Sequence, residues 1–148
     1  MKVKGILNKG TDLSQKTIES GYIREAQYSI DIGEIRVVYG IMLLRGCVRY
    51  LLSEDAKCAP FWESADFFEV VDPLLPMEWY FSLTVLADDD EYTQGFQKAI
   101  WGYKEMALDE NHYEDLIERE PEALDIFFKR KKEIDEYEEL SKFISKKP

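Results

Sequence analysis

The chain has 148 residues, 45% of them apolar and 14% aromatic, and its 30 acids against 19 bases give a net charge of −11. That apolar share supports a folded core rather than a disordered chain, and the charge argues against nucleic acid, whose binding needs Lys and Arg to displace counterions. No apolar run reaches the ~18 residues of a membrane span, and the opening MKVKGILNKGTD lacks the apolar stretch of a secretory signal, so a cytoplasmic location is expected.

In chain order, residues 2–8 alternate as a short strand, and Lys9-Gly10-Thr11-Asp12 reads as a turn. Residues 13–20 suit a loop or one helical turn. Residues 22–32 alternate loosely through Tyr22, Tyr28, Ile30 and Ile32, a strand closed by Gly33. The stretch that follows, GEIRVVYGIMLLRGCVRYLLS, organises the rest. It predicts a β-hairpin in which Arg36, Val38, Gly40, Met42 and Leu44 face one way and Val37, Tyr39, Ile41 and Leu43 the other. Arg45-Gly46 supplies the turn, because glycine accepts the positive φ of a tight connection. Apolar residues on both faces predict a hairpin covered on both sides.

Residues 54–57 form a polar turn, and residues 58–64 an aromatic connection through Phe61 and Trp62. Residues 65–72 predict a strand that Pro73 and Pro76 end. Residues 79–87 predict a further strand, largely buried. Residues 94–108 fit either a helix or, at Ile100-Trp101-Gly102-Tyr103, one more strand. Asp109 predicts an N-cap with Glu110 in the first turn, and Pro121 suits the first turn of a long helix over residues 122–144. Lys129 with Glu133 and Lys132 with Glu136 sit at i,i+4 in that helix. The tail, residues 145–148, is expected to fray. The expectation is one α+β domain over residues 1–148. Residues 1–87 make a small, strongly bent antiparallel β-sheet or SH3-like barrel, 88–108 a transition, and 109–144 the α-helices.

Chemistry-bearing motifs are sparse. His112 is the sole histidine. It suits a capping or surface position, and beside Glu114 or Asp115 it is also the candidate general base. A zinc site would need a second nitrogen or sulfur ligand. Asp88-Asp89-Asp90-Glu91 invites a calcium reading, but the sixth and twelfth positions of an EF-hand loop counted from Asp88 are Thr93 and Ala99, not Gly and Glu. Cys47 and Cys58 lack CxxC spacing and are expected as reduced thiols. No cofactor is indicated.

The charge is unevenly placed. Residues 61–128 hold 18 acids and 3 bases, while the flanking segments are slightly basic. Such a field attracts and steers a basic protein partner. Asp66, Glu69, Asp88, Asp89, Asp90, Glu91, Glu110, Glu114 and Asp115 are the candidate partner-binding residues. The segments Tyr39-Gly40-Ile41, residues 67–76 with Trp79, and Gly102-Tyr103-Lys104-Glu105 through Lys131 are similar to those of small uncharacterised bacterial proteins. In size, charge and general pattern across most of the chain, the sequence resembles immunity proteins of polymorphic toxin systems. That resemblance implies a compact, acidic, cytoplasmic inhibitor without catalytic motifs that caps a basic toxin, and it carries over no site residues. Two other readings stand beside it. One is a homo-oligomeric subunit joined through the helix over residues 122–144. The other is an enzyme of unmarked type using His112.

Overall fold

The computed structural model describes residues 1–55, 58–85 and 97–144. Its class is α+β: two antiparallel sheets and C-terminal helices. A three-stranded sheet has the order β2-β1-β6, formed by β1 (Lys2–Gly5), β2 (Ile35–Val37) and β6 (Phe68–Asp72). A five-stranded sheet has the order β5-β4-β3-β8-β7, formed by β3 (Gly40–Leu44), β4 (Cys47–Leu52), β5 (Phe61–Ser64), β7 (Tyr80–Val85) and β8 (Gln97–Gly102). The helices are α1 (Gln15–Glu19), α2 (Lys104–Leu108), α3 (Glu110–Ile117) and α4 (Pro121–Ile144).

The central hairpin is β3 and β4, in register from Gly40 opposite Leu51 to Leu44 opposite Cys47. Arg45 and Gly46 both have positive φ, 52° and 75°, as a two-residue turn matched to the strand twist requires. Both faces are covered. On one side Met42, Leu51 and Ile100 pack with Phe127, Ala123 and Leu116 of the helices. On the other, Tyr50 and Leu52 pack with Val3, Phe67 and Phe68 of the N-terminal half. The five-stranded sheet is thus the middle layer between helices and the smaller sheet.

The expected alternation slips once. Tyr39 packs in the cluster of Met42, and Val38 in the cluster that Ile41 joins, whereas strict alternation puts Tyr39 with Ile41 and Val38 with Met42. The chain crosses between sheets at this point. Val38 N–H donates to Met1 O at 3.1 Å, and Tyr39 N–H donates to Leu51 O at 2.9 Å. Changing partners in mid-run shifts the phase by one residue, and one residue inverts the face.

Other expectations are corrected. Residues 22–32 are turns with a single bridge between Lys9 and Gln27, not a strand. Tyr22 and Tyr28 instead lay their rings on Phe67, centroids 6.0 and 5.0 Å away, so aromatic packing overrides a weak period-two pattern. Residues 61–64 are an edge strand rather than a connection. Strand β7 forms as expected but is an edge: Phe81 and Leu83 are half-exposed, not buried. Residues 13–20 contain α1, capped by Ser14, whose Oγ accepts from Thr17 N–H at 3.3 Å. The open choice at residues 100–103 resolves as strand through Gly102, the end of β8, paired with both β3 and β7, while Tyr103 is the N-cap of α2. Glu133 pairs with Arg130 at 2.7 Å rather than with Lys129, while Lys132 and Glu136 approach to 3.9 Å. The tail at residues 145–148 and half of the polar turn at 54–57 lie outside the described residues.

Helix α4 follows its apolar period. Ala123, Phe127 and Ile134 are buried against the sheet, and Leu140 is left exposed. Glu138 is buried, accepts from the amino group of Met1, and forms an ion pair with Lys2 Nζ at 3.0 Å. Tyr39 hydroxyl donates to Asp135 and accepts from Lys131 Nζ, at 2.8 and 2.7 Å. These bonds lock α4 to the crossing point of the two sheets.

Candidate functional site

Helix α3 is short, and its faces differ sharply. His112 and Leu116, four residues apart, are buried. Glu110, Glu114 and Glu118, also four apart, occupy the opposite exposed face. Asp109 caps the helix by accepting from Asn111 N–H at 3.1 Å. Beyond the helix, Glu120, Glu122 and Asp125 are exposed too. Between Asp109 and Asp125 the chain carries eight carboxylates and one cation, Arg119. Among the described residues, none of these carboxylates forms an ion pair.

This arrangement works against the helix that bears it. Like charges at i,i+4 each cost about 0.2–0.5 kcal/mol, and Glu118 sits at the helix C-terminus, where the dipole disfavours an anion. Among the described residues, no ion pair offsets these costs.

The remaining acidic candidates are dispersed. Glu69 pairs with Lys4 across β6 and β1 in the smaller sheet, on the far side of the central layer from α3. Asp66 is used internally: it accepts from Ser14 N–H at 3.0 Å and from Thr17 Oγ1 at 2.7 Å. Partial burial would raise its pKa, but these bonds outweigh that and hold the carboxyl below its usual range. Asp115 is half-buried beside the exposed ladder. Asp88, Asp89, Asp90 and Glu91 lie outside the described residues. Glu110, Glu114 and Asp115 are therefore brought together, and Asp66 and Glu69 belong to another layer. Block charge alone does not single out Glu118, Glu122 and Asp125, although the four-residue spacing of Glu110, Glu114 and Glu118 is present in the sequence.

His112 is given to the core rather than to solvent. Its Nε2 bonds the Tyr103 hydroxyl at 2.7 Å, and the two rings meet edge to face. Burial disfavours the charged imidazolium and lowers the pKa, partly opposed by Asp109, Glu105 and Asp115. The sign of the pH effect follows. The unfolded chain takes up a proton near pH 6.5, and the folded chain resists it. Stability is therefore full above about pH 6.5 and falls as pH drops toward the folded pKa. Urea titrations between about pH 7 and 5 are expected to show a decline that His112→Gln makes shallower by up to one proton's slope. Parallel curves for the two proteins would refute this.

Cys47 is buried and Cys58 is half-buried. Hydrogen bonding to Asp55 pushes the Cys58 thiol up, with burial adding to it, which is opposite to the shift of an activated nucleophile. Among the described residues, no three His, Cys, Asp or Glu side chains group closely enough to hold a metal ion, and no helix is long and apolar enough to cross a membrane. Compared with family models, with curated proteins and with solved structures, the chain matches none.

Proposed function

We propose that the chain is a protein-binding protein of the immunity type, which covers a basic site on its partner with the acidic face of α3 and the start of α4. The carrying observation is the ladder Glu110, Glu114 and Glu118, charges that burden their own helix and form no ion pair among the described residues. A surface that lowers stability without internal compensation is what a binding role selects. Carboxylates in this number speed encounter with a cationic partner and occupy the ground that a polyanionic or phosphate-bearing substrate would take. A seam along α4 is less favoured, because Ala123, Phe127 and Ile134 of its apolar stripe are buried within the chain.

The test is capture from a lysate of the native host at low and high salt, read by mass spectrometry. A basic protein is expected to be retained at low salt and released at high salt. Capture of no basic protein at either salt would overturn the reading.

A further inference from the structure

The outer strands of the two sheets are not alike. A sheet edge offers backbone groups to any passing strand, and folded chains blunt it with short strands, charged side chains or bulges. β2 has three residues and carries Arg36, buried opposite Val3. β6 carries Glu69 and Asp72, and its register with β1 shifts between Lys2 and Val3. β5 has four residues and carries Glu63. β7 has none of these features. Its six residues, Tyr80–Val85, include no charge, no proline and no glycine. They pair with β8 without a shift, from Tyr80 opposite Gly102 to Val85 opposite Gln97. Among the described residues, β8 is the only strand partner of β7.

The side chains of β7 add an apolar surface to this open edge. Tyr80, Phe81 and Leu83 are 42%, 50% and 53% exposed. Alternation along the strand puts Phe81 and Leu83 on one face and Tyr80, Ser82 and Thr84 on the other. The Phe81 ring rests on Trp101, centroids 4.8 Å apart, so this face is in place without a partner. Met77, which is 86% exposed, lines the same groove as Tyr80 and extends the apolar surface. An uncharged, strand-forming segment of this length on an open edge is an aggregation hazard unless a defined partner covers it.

Charge selects the occupant. The chain carries −11, so a second copy is repelled over much of its surface, whereas two β7 strands meet with no like charges facing. A two-fold axis through Ser82, perpendicular to the sheet, makes the two strands antiparallel and keeps each face on its own side. Phe81 of either copy then lies opposite Leu83 of the other, and Tyr80 opposite Thr84. Apolar side chains meet apolar ones and hydroxyls meet hydroxyls, the kind of cross-strand pairing that stabilises antiparallel strands.

We propose that β7 is a self-association edge, at which two copies of the chain pair antiparallel about Ser82 and join their larger sheets into one. A patch of this size falls at the low end of interfaces, below about 1,200 Å² in total, so the pair is weak and reversible. It is independent of the acidic face of α3 and of the partner proposed for it, and it differs from a seam along α4.

The experiment is sedimentation equilibrium of the folded chain from about 1 µM to 1 mM, at low and high salt. A dimer is expected to grow with concentration and to tighten as salt rises, because screening relieves the repulsion between two anionic copies. Capture of a basic protein by α3 has the opposite salt dependence. Leu83→Lys gives β7 the charge that the other edges carry, at a half-exposed position where a melting curve checks the fold. It is expected to weaken the dimer at high salt at least tenfold. A second variant reads the register. With Cys58→Ser as background, Ser82→Cys sets two thiols across the axis, where Cα atoms about 4.5–5.5 Å apart suit a disulfide. Oxidation with copper phenanthroline is expected to give a covalent dimer. A monomer at every concentration would overturn the proposal. So would a dimer unchanged by Leu83→Lys, or no cross-link from Ser82→Cys.

Discussion

Phe127→Ala is expected to cost the fold about 3–5 kcal/mol, the range for emptying a buried phenylalanine site. Phe127 has no exposed surface. Its ring meets Tyr39 edge to face at 5.6 Å, Tyr103 at 6.5 Å and Phe128 at 5.5 Å. It therefore joins α4 to the crossing segment, to the N-cap of α2 and to its own helix. A whole domain is stable by only ~5–15 kcal/mol, so this one truncation removes a large part of the total. The check is a urea transition whose midpoint falls with little change of slope. Leu140→Ala, on the same helix at 62% exposure, is the control and should stay within about 0.5 kcal/mol of the parent. A loss under about 1 kcal/mol at Phe127 would mean that α4 does not seat on the sheet as described.

If α3 covers a basic partner as proposed, the triple variant Glu114→Lys, Glu118→Lys, Asp125→Lys is expected to slow that association about tenfold or more, and to flatten its dependence on salt. The same substitutions turn the Glu110–Glu114 repulsion at i,i+4 into an attraction, exchange one like-charged pair for another at 114 and 118, and replace a carboxylate at a helix C-terminus with a cation. Thermal stability is therefore expected to hold or rise while binding is lost. That divergence separates a recognition surface from a structural one. Stopped-flow association at two salt concentrations, beside a melting curve, reads both quantities. Unchanged association with a folded variant would remove α3 from the interface.

Local signals in the amino-acid sequence account for much of the fold. The hairpin is legible in Arg45-Gly46 between two strand-forming runs, and the capping of α3 in Asp109. Helix α4 is legible in Pro121 and the recurrence of Leu124, Phe127, Ile134 and Tyr137. Each of these signals is carried by residues near one another in the chain. The phase slip at Val38 and Tyr39 is not legible, because it depends on hydrogen bonds to Met1 and Leu51. Nor is the strand identity of Gln97–Gly102, which is settled by having a partner on each side. At the candidate surface, the acids Glu110, Glu114 and Asp115 stand out in the sequence by charge, and Glu118 by its four-residue spacing. Asp66 misleads, because a carboxylate that fastens α1 looks in sequence like one offered to a partner.

The placement of β1 has a consequence for how quickly the chain reaches this arrangement. β1 lies between β2 and β6, and the Met1 amino group meets Glu138 across 137 positions of sequence. The hairpin and the α3–α4 pair need only short loops to close. β1 takes its partners from residues 35–37, 68–72 and 138, and closing long loops before contacts reward them is what makes folding slow. Until β1 is seated, β2 and β6 each present an unpaired backbone edge to whatever strand is nearby. The step expected to be slowest is thus also the most exposed to aggregation, and the ion pairs of Met1 and Lys2 with Glu138 are the latch that ends it.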